Sequence, residues 1–265
     1  MKSTFSCLGV IPVRLESTRL PQKPLRDIYG KTLVERVWLQ AKKSSAVSKL
    51  VVATCNAEIA QECEKKGIAY IMTGSHHETG TDRVAEVSAI LEAQGEVFDF
   101  VANIQGDMPF INPTVVDSTI RSLADSDLSL SMATIATPIV SREEFERPAS
   151  VKIAIGEGGR ALYFSRAPIP HWRNFPGDEH VSVENPYGYR HMGLYVFRRE
   201  ALKQIATLPK AHTEQREALE QLRALAHGIG IKVSIVSREA VKPNIEVDTP
   251  EDLENATQYA RENGL

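Results

Sequence analysis

Arg14, Arg19 and Lys23 are gathered behind the apolar run CLGVIPV (7–13), in a segment that also carries Pro21 and Pro24. Two planar guanidinium forks and one compact ammonium make a combination suited to a polyphosphate, whose oxygens point in several directions. The alternative is a solvated loop whose cations pair with Glu16 and Asp27, and the segment alone leaves the two readings even. A carboxylate follows in NIQGDMPFI (103–111), where Asp107 comes after Gln105 and Gly106. Beside a phosphate-binding loop, a hard oxygen ligand suggests Mg²⁺, which uses one or two carboxylates together with substrate phosphates. Asp and Gly also favour turns, so Asp107 read by itself is more readily a turn residue capping the helix at 112–123. A second carboxylate, Asp248, stands in NIEVDTPEDLENA (244–256), just before a helix start built from Thr249, Pro250 and Asp252. Because Thr249 and Asp252 serve the helix end, Asp248 is free to face a metal or to complement the helix dipole.

Three further groups carry weaker signals. Period-2 alternation in YGYRHMGLYVF (187–197) puts Tyr189, His191, Tyr195 and Phe197 on one face and Met192, Leu194 and Val196 on the other. The aliphatic face reads as core; the other offers hydroxyl and imidazole groups to a polyhydroxylated ligand, or a structural histidine. In ALYFSRAPIP (161–170), Arg166 shares a strand face with Leu162 and Phe164, as a carboxylate grip or as an edge charge that blocks pairing. In REALEQLRALAH (216–227), Leu219, Leu222 and Leu225 face the core, while Glu217, Glu220 and Gln221 share a side that reads as solvated.

The elements that hold these residues follow from patterning. Strands are expected at 5–12, 49–54, 68–72 and 98–104, alternating with helices at 31–43, 56–66, 81–93 and 112–123, the order of βαβ units around a mainly parallel sheet. Leu33, Val34, Val37, Trp38 and Ala41 form one helical stripe, and Val84, Val87, Ile90 and Leu91 another. After residue 128 the runs SMATIATPIV, VKIAIG, ALYFSRAPIP and YGYRHMGLYVF read as strands with mixed or antiparallel pairing, interrupted by a polar insertion at 171–188. A helix at 213–227, a strand at 231–236 and a helix from Thr249 complete the order. The fold class is therefore α/β, and the simplest domain reading is one domain over 1–265 with a β-rich excursion near 160–200.

Composition narrows the partners. At 265 residues the chain can bury a full core without staples, and a net charge of -3 gives no reason to expect nucleic acid or a membrane surface. Any anion site must be local. Cys7, Cys55 and Cys63 are odd in number and lack metal-ligand spacing, which fits a reducing cytoplasm. CLGVIPV is short and broken by Pro12, so it reads as a first strand instead of a leader, and no apolar run reaches the roughly 20 residues of a spanning helix.

Taken in order, IPVRLESTRLPQKPL, GTDRVAEV, NIQGDMP, ALYFSRAPIP, YRHMGLYVF, LEQLRAL and VDTPEDLE resemble the 3-deoxy-manno-octulosonate cytidylyltransferases over essentially the whole chain. That resemblance implies a Rossmann-like nucleotide-diphospho-sugar transferase fold and a cytoplasmic homodimer. It implies transfer of CMP from CTP to the anomeric 2-hydroxyl of a 3-deoxy-ulosonic acid, Kdo or a modified Kdo, for lipopolysaccharide, with Mg²⁺ as cofactor. Arg14, Arg19 and Lys23 would hold the triphosphate, with Gly80, Thr81 and Arg83 framing the nucleotide. Asp107 and Asp248 would be the metal ligands, and Lys23, Asp107 and Asp248 the catalytic set. Gln105, Arg166, His191, Tyr195, Glu220 and Gln221 would line the sugar-acid pocket, Arg166 meeting the carboxylate. Three positions depart from the pattern. Gln22 stands where the family usually has Gly, Met108 replaces a Glu, and Cys55-Asn56 replaces an acidic pair. These changes put the identity of the sugar acid in question more than the nucleotidyl transfer. The alternatives are a cytidylyltransferase for another acid, such as a nonulosonic acid, and a CTP-binding regulator without turnover.

Overall fold

The computed structural model of the chain describes residues 5–265 and divides into two compact units. The first runs to Asp117 and resumes at Val241; the second covers Ser118–Ala240.

In the first unit, β1 (Cys7–Pro12) is followed by the short strands β2 (Asp27–Ile28) and β3 (Lys31–Thr32), then α1 (Leu33–Ala41) and β4 (Lys49–Thr54). Next come α2 (Ala57–Lys66), β5 (Tyr70–Met72), α3 (Gly80–Ala93), β6 (Phe100–Asn103) and the start of α4 (Pro113–Ala124). The main strands pair in the order β6-β1-β4-β5, all parallel. Cys7 to Ile11 are all buried, as expected of a strand covered on both faces. Helix positions follow the apolar stripes. Leu33, Val34, Val37, Trp38 and Ala41 are buried in α1, and Val84, Val87 and Leu91 in α3. A capping box of Thr79 and Asp82 opens α3.

The second unit contains β7 (Leu130–Ile139), α5 (Arg142–Glu146), β8 (Lys152–Ile155), β9 (Ala161–Ser165), β10 (Gly188–Arg198), α6 (Arg199–Thr207), α7 (His212–Glu217), α8 (Gln221–Ala226) and β11 (Gly230–Ile235). Its strands mix senses: β11 pairs β7 in parallel, while β7 with β10, β10 with β8, and β8 with β9 are antiparallel. After Val241 the chain re-enters the first unit and ends in α9 (Pro250–Glu262), with Thr249 as N-cap and Asp252 completing the box.

Three expectations about the second unit are corrected. The single helix at 213–227 is two helices, α7 and α8, because Ala218 adopts a left-handed conformation (φ 51°) that breaks the ladder. Gln221, on the side read as solvated, is buried at 3% exposure. Leu162 and Phe164 do not share a face, since a bulge between Tyr163 and Ala161 leaves Leu162 exposed and Phe164 fully buried. The strand ends at Ser165, so Arg166 lies beyond it.

Candidate active site

The loop after β1, the turn after β6 and the returning C-terminal segment meet at four side chains. Lys23 Nζ donates to Asp107 Oδ2 at 3.2 Å and to Asp248 Oδ1 at 3.0 Å, while Arg19 donates to Asp248 Oδ2 at 3.0 Å. Each partner is set by its backbone. Gly106 lies so close to the end of β1 that a Cβ there would meet the Pro12 carbonyl at 3.0 Å, which fixes the turn carrying Asp107. A backbone bond from Val247 N–H to the Asp107 carbonyl, 2.9 Å, registers the C-terminal segment against that turn. Asp252 accepts from the Asp248 and Thr249 backbone N–H groups, so the Asp248 carboxylate is spared for the cations.

Charge follows position. Burial pulls the Lys23 ammonium down, but Asp107 and Asp248 outweigh it and leave its pKa above the ordinary value. Asp107 is pushed up, first by burial and then by the Asp248 charge, against the pull of Lys23. Burial also raises Asp248, yet the Lys23 and Arg19 bonds prevail and hold it below the usual range. The ammonium is thus kept charged between two carboxylates.

These groups line a cavity of about 430 Å³ that also includes Arg14, Gly80, Arg83 and Gln105, all within the first unit. Arg14 and Arg19 are exposed. Neither Glu16 nor Asp27 pairs with a loop cation among the described residues: Glu16 accepts from Asn56, and Asp27 from the Gly30 N–H. Gly80 begins α3 at the cavity wall, so a helix N-terminus with its orphan N–H groups faces the same space. Arg83 is buried and donates to Thr73 Oγ1 and to the Gly74 carbonyl, so it braces the wall. Thr81 is buried and accepts from Asn103 Nδ2, 3.4 Å; Gln105 Nε2 donates to Asn103 Oδ1, 3.2 Å. Glu16, read from the sequence only as a partner for the cations, lines the cavity too, as do Ser17, Thr18 and His77, which the sequence reading does not name; the histidine pair of SHHET, directly ahead of GTDR, is the one signal that points to His77.

The departing positions fall in different places. Gln22 has φ 55°, the left-handed region that glycine occupies without strain. Met108 is buried at 8% exposure and is absent from the cavity wall. Asn56 bonds to the basic loop itself.

The remaining expected residues belong to the second unit. Arg166 is tied to backbone, donating from Nε to the Glu217 carbonyl at 2.7 Å and from Nη1 to Pro148 at 3.2 Å. His191 is buried, 3.0 Å from Thr134 Oγ1, with its ring edge-on to Phe164 and tilted to Tyr195. Burial lowers its pKa to about 3, so the imidazole is neutral. Tyr195 donates to Gln221 Oε1 at 3.1 Å, while Gln221 Nε2 is buried without a partner among the described residues. Glu220 is half-buried at the start of α8. The chain thus draws Tyr195, His191 and Gln221 into one polar layer and directs the Arg166 donors to carbonyls.

The model of the Cytidylyltransferase family matches residues 8–235. A 3-deoxy-manno-octulosonate cytidylyltransferase of Syntrophotalea carbinolica is 39% identical over 97% of this chain and 99% of its own. One from Polynucleobacter necessarius is 44% identical over 95% and 94%. Among solved structures, a CMP:2-keto-3-deoxy-manno-octonic acid synthetase complexed with CTP superimposes with a TM-score of 0.86 at 36% identity, covering 97% of this chain and 99% of that one.

Proposed function

Since the chain belongs to the 3-deoxy-manno-octulosonate cytidylyltransferase family, we propose that it transfers CMP from CTP to the anomeric 2-hydroxyl of Kdo and releases pyrophosphate. The observation that carries this reading is the Lys23 ammonium held between Asp107 and Asp248, in a cavity whose wall continues into Arg14 and Arg19. A site for a neutral ligand has no use for two converging carboxylates beside three cations.

Magnesium fits the donor set. Two carboxylates on separate segments face one cationic group, and their hard oxygens leave further positions for substrate phosphates. No cluster of three His, Cys, Asp or Glu side chains exists among the described residues, so the ion would depend on the nucleotide's oxygens to complete its shell. Bound by Asp107 and Asp248, Mg²⁺ would lower the pKa of the attacking hydroxyl and neutralise charge at the α-phosphate.

The chain's own residues orient and neutralise. The sugar hydroxyl gives its proton to solvent water as its oxygen bonds to the α-phosphorus, the bond to the bridging oxygen breaks, and the electron pair leaves on pyrophosphate. Lys23, kept protonated by its aspartates, donates toward that leaving charge, and the Arg14 and Arg19 forks hold the outer phosphates. Gly80 and the α3 N-terminus face the nucleotide, with Thr81 and Arg83 bracing that wall and Gln105 beside Asp107. No protein nucleophile is needed for direct displacement.

For the sugar acid we look to Arg166, His191, Tyr195, Glu220 and Gln221. The unpartnered Gln221 Nε2 supports a hydroxyl acceptor there; Arg166 gives three of its five N–H donors to carbonyls, which leaves two for a carboxylate. We further infer that residues 1–265 act as one cytidylyltransferase domain, as a homodimer in the cytoplasm. Three free thiols and the lack, among the described residues, of a helix able to cross a membrane support that location.

The test is pyrophosphate release from CTP with a panel of acids. Release that requires both Mg²⁺ and Kdo is the expected result. Release with a nonulosonic acid alone, or with no acid at all, overturns the assignment.

A further inference from the structure

We propose that Asn56 is a positioning residue that clamps the basic loop, holding Glu16 away from Arg14 so that Arg14 stays available to a phosphate. The proposal rests on reading the cavity as a triphosphate site. Asn56 immediately precedes α2 in the N-cap position, where an Asn side chain ordinarily accepts from the first turn; here it makes no such bond. The amide is turned to the basic loop instead. Its Oδ1 accepts from the Leu15 N–H at 3.1 Å, and its Nδ2 donates to Glu16 Oε1 at 3.3 Å. Because the Leu15 partner is a donor, the amide can point only one way, which leaves Nδ2 for Glu16. The residue's own N–H is fixed at 3.2 Å to Thr54 Oγ1, so the clamp is anchored at the end of β4.

Glu16 and Arg14 both line the cavity, yet they make no ion pair among the described residues. Glu16 is held ionised by its own backbone N–H and by Asn56, with a smaller contribution from Arg14. A freed Glu16 carboxylate therefore has a ready partner in Arg14, and that pairing competes with any anion entering the cavity. The donor on residue 56 prevents it. An aspartate there keeps the acceptor for Leu15 but loses the donor and repels Glu16; a glutamine at position 16 would supply the missing donor from the other side.

Three variants test the clamp. Asn56→Asp is expected to raise the KM for CTP about tenfold while kcat stays within about twofold. Adding Glu16→Gln to Asn56→Asp restores the KM, and Glu16→Gln alone leaves it near the parent value. An unchanged KM in Asn56→Asp, or a double variant no better than the single, overturns the proposal. Hydrogen exchange in the nucleotide-free protein gives a readout independent of CTP: Asn56→Ala, which removes both bonds, should speed exchange at the Leu15 amide. If the parent protein neither turns over nor retains CTP, the functional reading falls and Arg14 has no phosphate to be kept for. Unaltered Leu15 exchange rejects the clamp whatever the activity.

Discussion

Two lysines show how differently the two units use the same side chain. Lys23 donates hydrogen bonds to two carboxylates at the wall of a solvent-open cavity. Lys152, in the second unit, is 0% exposed and donates hydrogen bonds to the backbone carbonyls of Arg147, Ser150 and Arg166 at 2.6–2.9 Å. Aspartates raise the pKa of the first; burial, with Arg166 nearby, lowers that of the second. Carboxylates hold a cation that incoming ligand oxygens can compete for, whereas a cage of carbonyls has no charge to trade and serves to tie β8, the segment after β9 and the turn at 147–150 together. One lysine stays open to a ligand, and the other is closed inside the fold.

The sharpest way to break this contrast is to remove charge from the first site. Asp248→Asn should cut CTP turnover by about a thousandfold, as loss of a transition-state electrostatic partner does, with the melting temperature shifted by only a few degrees. Turnover close to the parent's would remove the carboxylate from the catalytic set. In the second unit the effect should move from rate to stability. Lys152→Met leaves the Ser150 and Arg166 carbonyls without a donor, while the Arg147 carbonyl keeps the Ser150 N–H, and should cost about 2 kcal/mol or more in urea unfolding, at a penalty of about 1–3 kcal/mol for each orphaned group, while activity per folded molecule persists.

How visible each unit is in the sequence follows the same division. The cations and Asp107 and Asp248 are visible as charges at the ends of apolar runs, yet each alone also reads as a solvated, turn or dipole-complementing residue, and only their order along the chain favours a site. Asn56 gives no such signal, since an Asn before a helix reads as a cap and its true partners lie 41 and 40 residues earlier. In the second unit, polar groups satisfied internally are indistinguishable from core. Gln221 looks solvated on a helical wheel only because nothing in ALEQLRAL reveals the left-handed Ala218 that ends α7. Helix α6 follows β10 with no Gly or Pro between them, so no breaker marks where a period of two gives way to one of 3.6.

Acid provides a gentler probe of the second unit. His191 has a folded pKa of about 3 against roughly 6.5 when unfolded, so below pH 6.5 the unfolded state binds the extra proton. Its contribution is complete above pH 6.5 and is lost progressively as pH falls toward 3. Urea midpoints measured from pH 7 to 4 should therefore fall less steeply for His191→Gln than for the parent. The smallest expected change returns to the first unit. Gln22→Gly relieves a left-handed side chain at the cost of a more flexible unfolded chain, for a net gain of about 0.5 kcal/mol. Loss of stability on that replacement would mean that Gln22 makes a contact worth more than its strain.

Lys23 and Asp248 are 225 residues apart in the chain. A ribosome that has already emitted the cationic loop must make every described strand of both units before the second carboxylate emerges, so no chain stopped short of Asp248 holds the whole cluster. Removing residues 248–265 would take the Asp248 partner from Lys23 and Arg19 while leaving every described strand of both units in the chain.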